Sequence, residues 1–391
     1  MTRRILFKKI TDKLLFTQGP LNTRKKGKEA ALRDLGSREA EFINVVREIR
    51  EKLLKLAGVS KEVGYECIIM QGSGTYSIES VISSVITERD HLLLLVNGAY
   101  GDRIYRIAEV YKIRTTVMSY SEDKAPSITE LEEKLQSEKT ITHVAAVHCE
   151  TTSGIFNPIG EIGTICGKYN KTYLVDATSS FGAVPVDLID MKIDFLVSSS
   201  NKCIQGIPGF AFIISRKSKI LEAKGKARTI SLDMYSQWSG LERNGQFRFT
   251  PPLQALVAFK QALDEIQKEG SVEARAARYE KHSSILFTGM DNLGFVPYLK
   301  PENRGYIITS FYYPEHPLFD FERFYTLLNN KGFVIYPGKV TQANSFRIGN
   351  IGNLTAEDIS KLLIAIEEVL KEMNIYPLVS INDEPGLSSS N

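Results

Sequence analysis

The sequence lacks the long apolar run that a membrane-spanning helix needs. None of its hydrophobic segments reaches the ~18 apolar residues of such a span. It also lacks an excess of charge of one sign, because 49 lysines and arginines face 46 aspartates and glutamates, for a formal net charge of +3. So small an excess does not favour nucleic acid as a ligand. We therefore expect neither a membrane nor a nucleic acid as partner.

Cysteine is scarce, and its spacing argues against two further classes of protein. The 391 residues include four cysteines, none of them in a Cys-x-x-Cys pair: Cys67, Cys149, Cys166 and Cys203. This spacing does not indicate a disulfide framework or a zinc site. We predict reduced thiols, no bound metal and a cytoplasmic location. The basic N-terminal stretch, in which Asp12 is the only acid, leaves a short organellar presequence as the alternative.

Most of the chain alternates short apolar strands with amphipathic helices. After a helix at 37–56, strands are predicted at 65–70, 92–96, 115–119, 142–147, 172–175 and 193–197. The helices between them include 103–111, 127–136 and 158–169, and a Ser-x-x-Glu capping box at Ser127 and Glu130 begins the second of these. Strands at this spacing with helices between them predict an α/β fold with a mostly parallel sheet.

The pattern changes in the second half of the chain. Residues 231–248 are less regular, and the helix after them is predicted to begin at Leu253 and to continue past Gly270 to about Leu286. Strands at 306–312, 333–336 and 345–349, with helices at 319–330 and 355–373, indicate a smaller α+β domain. The predicted organisation is an N-terminal segment 1–20, a large domain 21–270, a small domain 271–375 and a polar, disordered tail 376–391.

A lysine and an aspartate stand at the ends of two buried strands, in SSSNKCIQGIPGFAF and YLVDATSSFG. Lys202 follows the strand at 193–197, and Asp176 follows the strand at 172–175. Ligands of open α/β sheets bind at the carboxyl ends of the strands. Loss of hydration there lowers the pKa of a lysine from ~10.4. Lys202 alone would be read most simply as a solvated loop residue. Together with Asp176 it forms the pair that pyridoxal phosphate requires, one group for the Schiff base and one for the pyridinium nitrogen.

The small-residue turn QGSGT at 71–75 lies between a strand and a helix, an arrangement that binds phosphate through backbone N–H groups. It lacks the Gly-Lys-Ser/Thr ending of a Walker A loop. It also fails as a dinucleotide fingerprint, because Asp90 precedes the second strand and does not end it. The turn is therefore predicted to bind a single phosphate group. Several polar residues follow predicted strands and should gather at one edge of the sheet: Ser73, Tyr100, Thr151, Asp176 and Lys202.

Nine segments make the chain resemble the class V, fold-type I pyridoxal phosphate aminotransferases. They are LLFTQGPLNT, QGSGTYSIES, NGAYGDR, HCETTSGIFNPI, VDATSSFG, SSSNKCIQGIPGFAF, RFTPP, FVIYPGKV and FRIGNIG, and they span residues 14 to about 352. The resemblance implies a large mostly parallel-sheet domain, a smaller C-terminal α+β domain and a homodimer. It also implies transfer of an amino group from 2-aminoethylphosphonate to pyruvate. One departure is Gln18, where the family usually has proline, and we expect it to affect a turn and not the chemistry.

The resemblance also implies a role for individual residues. Lys202 becomes the Schiff-base lysine and acid–base catalyst, and Asp176 the partner of the pyridine nitrogen. Tyr100 stacks on the cofactor ring, and Thr151 hydrogen-bonds the ring hydroxyl. The phosphate cup consists of Ser73, Gly74 and Thr75 with Thr250 from the other subunit. Arg347 holds the acid group of the substrate, with a buried structural ion pair as the alternative, and His148 is expected to be structural or to act behind the site.

Two other activities and one non-catalytic role were weighed. An alanine–glyoxylate or serine–pyruvate aminotransferase would use the same cofactor residues and differ in its substrate pocket. A cysteine desulfurase needs a nucleophilic cysteine well after the lysine, but the last cysteine here is Cys203. A cofactor-binding scaffold would be indicated by loss of Lys202 or Asp176, and both are present.

Overall fold

The predicted alternation of strands and helices is observed. In the computed structural model, which describes residues 12–378, the strands are β1 Leu14–Leu15, β2 Tyr65–Gln71, β3 His91–Val96, β4 Arg114–Ser119, β5 His143–Val147, β6 Cys149–Glu150, β7 Ile155–Phe156, β8 Thr172–Asp176, β9 Phe195–Ser199, β10 Phe210–Arg216, β11 Ile308–Tyr312, β12 Phe333–Val334, β13 Tyr336–Pro337 and β14 Ser345–Gly349. The helices are α1 Lys25–Ala30, α2 Ala40–Leu56, α3 Gly74–Val85, α4 Ala99–Val110, α5 Ile128–Ser137, α6 Ile159–Lys168, α7 Lys217–Glu222, α8 Met234–Asn244, α9 Leu253–Glu269, α10 Val272–Asn292, α11 Phe321–Asn330 and α12 Ala356–Glu372.

The main sheet has seven strands in the order β2-β10-β9-β8-β5-β3-β4. The pairs from β9 to β4 are parallel, whereas β10 is antiparallel to both of its neighbours. Strand β2 therefore runs in the same direction as the parallel strands, and the prediction of a mostly parallel sheet is confirmed. Because the carboxyl ends of all strands except β10 point to one edge, the loops after them meet there.

Helices cover both faces of this sheet, which explains its nearly continuous apolar strands. Side chains of α2, α5, α6 and α9 pack with one face. Side chains of α3, α4, α7 and α8 pack with the other. The two clusters bury most apolar side chains of the central strands completely, including Leu93, Val175 and Leu196. This burial holds the edge that carries Asp176 and Lys202 in a fixed position.

A separate hydrophobic cluster lies in the C-terminal part of the described chain. It joins the end of α10 to β11, α11, β14 and α12, and it includes Phe16 from the N-terminal segment. Strands β11, β14 and β13 form a three-stranded antiparallel sheet, and β1 pairs in parallel with β12. The predicted smaller α+β unit is thus observed, while the domain boundaries at 20, 270 and 375 stay a prediction.

The prediction of one helix continuing past Gly270 is wrong. Helix α9 ends at Glu269, and α10 begins at Val272 after two residues of positive φ, Gly270 at 120° and Ser271 at 141°. Glycine adopts such a φ at little cost. The Ser271 hydroxyl then accepts the N–H of Glu273 at 3.2 Å and caps α10. The chain therefore turns sharply between the two helices.

Four smaller expectations also need correction. Residues 231–248 contain the regular helix α8, which the Asp233 carboxylate caps and Gly245 ends in the left-handed conformation. The strand predicted at 333–336 is two short strands, because β12 pairs with β1 and β13 pairs with β14. Of the two hydrogen bonds of the predicted capping box, the described contacts include only the one in which the Ser127 side chain accepts the N–H of Glu130. Strand β9 also extends to Ser199, so two of the three serines belong to it.

Some predictions fall on the chain ends. The presequence alternative concerns the N-terminal stretch, of which residues 1–11 lie outside the described residues, and only residues 376–378 of the predicted tail 376–391 are described. Within residues 12–378, no helix combines the length and apolar character needed to cross a membrane. All four cysteines are buried and free.

Candidate active site

The loops at the carboxyl edge of the main sheet bring the sequence-predicted residues together. Asp176 is the last residue of β8, and Lys202 lies three residues after β9. Ser73 follows β2, Tyr100 lies at the start of α4 after β3, and Thr151 follows the short strand β6. The positive charge of Lys202 is felt by both Tyr100 and Asp176, so these three side chains are neighbours. The sequence predicts this juxtaposition, because each of these residues was expected to follow a strand of a mostly parallel sheet.

Lys202 lies at the carboxyl edge of the main sheet, in the loop after β9. Its side chain is half-buried. This burial lowers the pKa of the Lys202 ammonium, although Tyr100 and Asp176 act in the opposite sense. The N-terminal segment covers the lysine stem: a Cβ on Gly19, where φ is 135°, would lie 2.9 Å from the Lys202 Cδ. Gly19 is therefore required for this close approach.

Asp176 is a buried carboxylate without an ion-pair partner among the described residues. It is 8% exposed, and its Oδ1 accepts the Thr178 N–H at 2.9 Å. Burial raises the pKa of the Asp176 carboxyl, and the Thr178 hydrogen bonds and the charges of Arg103 and Lys202 oppose this. A buried carboxylate of this kind gains stability from a cationic hydrogen-bond donor. A protonated ring nitrogen is such a donor.

The turn before α3 forms a small-residue cup beside Asp176. Ser73 is the exposed N-cap residue of α3, and its side chain makes no capping hydrogen bond. A Cβ on Gly74 would lie 2.7 Å from the Thr178 Oγ1, so glycine lets the turn pack against the loop after Asp176. The first N–H groups of an α-helix and its dipole favour an anion at this end. The cup and Asp176 thus offer adjacent sites for a negative and a positive group.

Arg103 was not anticipated, but it connects three parts of the site. Its Nη1 donates to the Thr75 Oγ1 at 3.2 Å, and its guanidinium lies 4.8 Å from the centre of the Tyr100 ring. It also opposes the upward shift in the pKa of Asp176. The NGAYGDR segment contains this arginine, yet only its long-range contacts indicate that it belongs to the site.

Tyr100 is surrounded by hydrogen-bond donors and cations. The Gln18 amide donates to its hydroxyl at 3.0 Å, and the Lys339 Nζ lies 5.3 Å from the ring centre. Burial by itself would raise the pKa of the Tyr100 phenol, but Lys202, Lys339 and other neighbours lower this pKa below its usual value. The expectation that Gln18 affects only a turn is therefore wrong, because its side chain reaches the site. Gln18 reaches the site because the N-terminal segment passes beside Tyr100 and Lys202.

Thr151 and Arg347 join the large sheet to the small one. The Arg347 Nη1 donates to the Thr151 carbonyl at 2.8 Å, and its Nε donates to the Pro337 carbonyl at 3.0 Å. Arg347 is 2% exposed, and no carboxylate of the described chain lies within ion-pair distance of it. Its guanidinium is therefore held by carbonyls, which leaves its charge for an anionic ligand. The Thr151 Oγ1 is buried and makes no hydrogen bond of standard geometry within the described residues, although it lies near enough to the Tyr100 phenol to help lower the pKa of that group.

Glu150 is a further residue that sequence reasoning missed. It is completely buried, and its carboxylate accepts the N–H groups of Tyr100 at 3.1 Å, Gly101 at 3.2 Å and Thr152 at 3.2 Å. Burial raises the pKa of the Glu150 carboxyl, and these hydrogen bonds oppose the shift. The carboxylate thus fixes the first turn of α4, which carries Tyr100. Two of these partners, Tyr100 and Gly101, lie 50 and 49 residues away in the chain, so no local pattern reveals these contacts.

His148 and Thr250 lie at the border of the site. The His148 ring is buried, its Nδ1 lies 2.8 Å from the Ser180 Oγ, and burial lowers the pKa of His148 to about 4. It packs behind Asp176, whose carbonyl accepts the His148 N–H at 2.9 Å. Thr250 is exposed, and its carbonyl and that of Phe249 accept hydrogen bonds from Gln71. Within one chain Thr250 is thus held beside the cup without being part of it.

The chain is similar in sequence to known proteins over most of its length. The family model described as aminotransferase class-V matches residues 23–362. The 2-aminoethylphosphonate–pyruvate transaminase of Phocaeicola vulgatus is 48% identical over 360 residues, which cover 92% of this chain and 99% of that protein. The protein of the same name from Lysinibacillus sphaericus is 46% identical over 360 residues, or 92% and 98% of the two chains.

Solved structures share the fold at lower identity. Pyridoxamine–pyruvate aminotransferase from Mesorhizobium loti superposes with a TM-score of 0.85 at 22% identity and covers 94% of each chain. Alanine–glyoxylate aminotransferase from Nostoc sp. gives a TM-score of 0.84 at 24% identity over 93% of this chain and 96% of the other. These similarities show a fold-type I aminotransferase structure, as the sequence predicts.

Proposed function

The chain belongs to the class-V aminotransferase family, and on that premise we propose that it transfers the amino group of 2-aminoethylphosphonate to pyruvate. The products are phosphonoacetaldehyde and L-alanine. The observation that carries the proposal is the buried Arg347, whose charge has no carboxylate partner in the described chain and which lies beside the Tyr100 phenol. The names of relatives that are 46–48% identical supply the substrate pair.

Pyridoxal phosphate is the cofactor that we propose for this site, and the residues fit it. The buried Asp176 lacks a cation, the buried Thr151 hydroxyl lacks a partner, and the cup at 73–75 suits a phosphate. We therefore assign Asp176 to the ring nitrogen, Thr151 to the ring hydroxyl and Tyr100 to the ring face. Ser73, Gly74 and Thr75 are assigned to the phosphate, and Arg103 is added because it contacts Thr75.

When bound, pyridoxal phosphate supplies a carbonyl that takes up the amino group and a pyridinium ring that accepts electrons from the substrate carbon. Lys202 holds the resting cofactor, and its freed Nζ then removes the proton from the amino-bearing carbon of the substrate. The lowered pKa of Lys202 keeps more of this amine in the neutral form that accepts a proton. Asp176 keeps the ring nitrogen protonated, and Arg347 orients the acid group of each substrate in turn.

The assignment of Lys202 has a direct chemical test. Borohydride reduction of the cofactor-loaded protein should attach the cofactor permanently to one lysine, and peptide mapping should identify that lysine as Lys202. Lys202→Ala should lose both the label and the visible absorbance of the bound cofactor. A label on another lysine would remove the basis of the mechanism.

We also propose a homodimer in which Thr250 of each subunit completes the cup of the other. Apolar side chains are exposed around this segment, namely Tyr76 at 55%, Ile230 at 77% and Phe249 at 47%. Arg248 links two of these positions because it donates to the Ile230 carbonyl at 2.8 Å and precedes Phe249. Sedimentation should give twice the chain mass, and Thr250→Val should weaken cofactor binding. A monomer with full activity would contradict the proposal.

The substrate assignment is tested by a panel of amino donors with pyruvate as acceptor, followed by alanine formation. 2-Aminoethylphosphonate should be the best donor of the panel. If serine reacts readily with pyruvate, or alanine with glyoxylate in place of pyruvate, while the phosphonate fails, the alanine–glyoxylate or serine–pyruvate activity takes its place.

A further inference from the structure

The loop between β13 and β14 places a second cation beside Tyr100. Lys339 lies in this loop, and its Nζ stands 5.3 Å from the centre of the Tyr100 ring. The Lys339 side chain is exposed and forms no ion pair or hydrogen bond with an acidic group of residues 12–378. Arg347 follows eight residues later in β14 and acts on the same phenol. Lys202 and Arg103 also lie beside Tyr100, but the proposed function assigns both to the cofactor, so Lys339 and Arg347 are the two neighbouring cations that remain for the substrate.

The backbone around Lys339 is fastened to the large sheet domain. The Thr341 N–H and hydroxyl donate to the Glu122 Oε2 at 2.8 and 3.3 Å, and Glu122 is 9% exposed. Val340 is 8% exposed, and the Gly338 N–H donates to the Ser345 carbonyl at 2.9 Å. The residues on both sides of Lys339 are thus held, so its Cα has a fixed position above the site.

The two proposed substrates differ in charge. Pyruvate carries one negative charge, which a single arginine fork can match. A phosphonate resembles a phosphate monoester, which carries about −1.5 to −2 charges at pH 7 on three acceptor oxygens. Arg347 already donates two of its five N–H groups to carbonyls, so three remain for the acid group of the substrate, with a single positive charge. A second cation adds most to the binding of the more highly charged group.

We propose that Lys339 is the residue that selects a phosphonate, with its higher negative charge, over a carboxylate as the acid group of the amino donor. This inference rests on the proposed transamination, since it names the group that distinguishes the two substrates of the same site. A lysine on its flexible stem supplies a point charge that can follow the phosphonate, while the planar fork of Arg347 fixes the orientation of the acid group. Lys339 acts on binding and does not contact the reacting carbon.

The test compares two donors for each variant in the cofactor-loaded enzyme. The ratio of kcat/KM for 2-aminoethylphosphonate to that for L-alanine should fall about tenfold in Lys339→Gln, through KM, and Lys339→Arg should restore most of it. Lys300→Gln is the matched control, because Lys300 is an exposed lysine of the C-terminal part of the described chain, away from Tyr100. A ratio in Lys339→Gln within twofold of wild type would overturn the inference.

A binding measurement separates this inference from the proposed function. Calorimetric titration with methylphosphonate and with acetate needs no turnover. Lys339→Gln should weaken methylphosphonate about tenfold more than acetate, and added salt should reduce the wild-type preference for methylphosphonate. Equal weakening of both anions would overturn the selection by Lys339. If wild type binds methylphosphonate through Lys339 but does not use 2-aminoethylphosphonate, the proposed function fails and the inference about the anion stands.

Discussion

The side-chain amide of Gln18 donates a hydrogen bond of 3.0 Å to the phenol of Tyr100. Gln18 is 5% exposed, and its Oε1 has no partner among the described residues. The N-terminal segment is fixed around it, because the Phe16 N–H donates to Val334 and the Phe16 carbonyl accepts from Gly349. Gln18 therefore links the C-terminal sheet to the residue that we assign to the cofactor ring.

Replacing Gln18 should lower activity without unfolding the protein. Gln18→Leu removes one neutral hydrogen bond, a loss of about 0.5–1.5 kcal/mol. This corresponds to a roughly two- to tenfold lower kcat/KM. Steady-state kinetics with 2-aminoethylphosphonate and pyruvate measure it, with Gln254→Leu as a control at an exposed glutamine. Equal kinetics for wild type and Gln18→Leu would show that the bond does not position Tyr100.

Asp176→Asn should separate cofactor binding from turnover. The shape is kept, but the charge that holds the ring proton is lost, so kcat should fall by orders of magnitude while the cofactor still binds. Absorbance titration measures binding, and alanine formation measures turnover. A variant within about threefold of wild type, roughly 0.65 kcal/mol of transition-state energy, would show that Asp176 does not contact the ring nitrogen.

Asp176→Asn, which should lower kcat, should not lower the stability of the cofactor-free protein. Because burial raises the pKa of Asp176 above that of the unfolded chain, the folded state holds its proton more tightly. Stability from this group is present at low pH and is lost as pH rises through the folded pKa. At pH 7 the cofactor-free Asp176→Asn protein should therefore be at least as stable as wild type in urea. A clear loss of stability would contradict an uncompensated buried carboxylate.

Arg347 should be needed for both half-reactions. Loss of a charge-assisted hydrogen bond costs about 1.5–3 kcal/mol, so Arg347→Ala should weaken the use of 2-aminoethylphosphonate and of pyruvate more than tenfold. Arg347→Lys should restore only part of this because lysine cannot form the fork. Cofactor absorbance should be unchanged in both variants. A loss confined to absorbance, with normal KM values, would indicate a structural role.

His148 should make the protein sensitive to mild acid. Burial lowers the pKa of His148 to about 4, below the value of ~6.5 in an unfolded chain. The unfolded chain therefore binds the extra proton first, and stability falls as pH drops from about 6.5 towards 4. By this linkage, acidification from pH 7 to 5 costs about 2 kcal/mol at this residue. Urea unfolding at the two pH values should show a smaller loss in His148→Gln than in wild type, and an equal loss would contradict the assignment.

Local pattern accounts for the parts of the fold that could be predicted. Strand β14 has the ends that the sequence predicts, and the apolar runs before Asp176 and Lys202 place the first at the end of β8 and the second three residues after β9. The turn between α9 and α10 was missed because it depends on the positive φ of Ser271, which serine rarely adopts.

The contacts within the site that local pattern does not predict join distant parts of the chain. Gln18 and Tyr100 are 82 residues apart, and Arg347 and Thr151 are 196 apart. Arg347 could be assigned only through the family resemblance, while Lys339 and Glu150 have no local feature that distinguishes them from other charged residues. Their positions become visible once the loops of both sheets are seen together.

The most direct test of the account is the first half-reaction in isolation. The cofactor-loaded enzyme is mixed with 2-aminoethylphosphonate and no acceptor, and the visible absorbance is followed. We predict loss of the resting absorbance with one phosphonoacetaldehyde formed per active site, and return of that absorbance when pyruvate is added after gel filtration, with one alanine formed. An unchanged spectrum with 2-aminoethylphosphonate, together with rapid conversion by alanine or serine, would contradict the central claim.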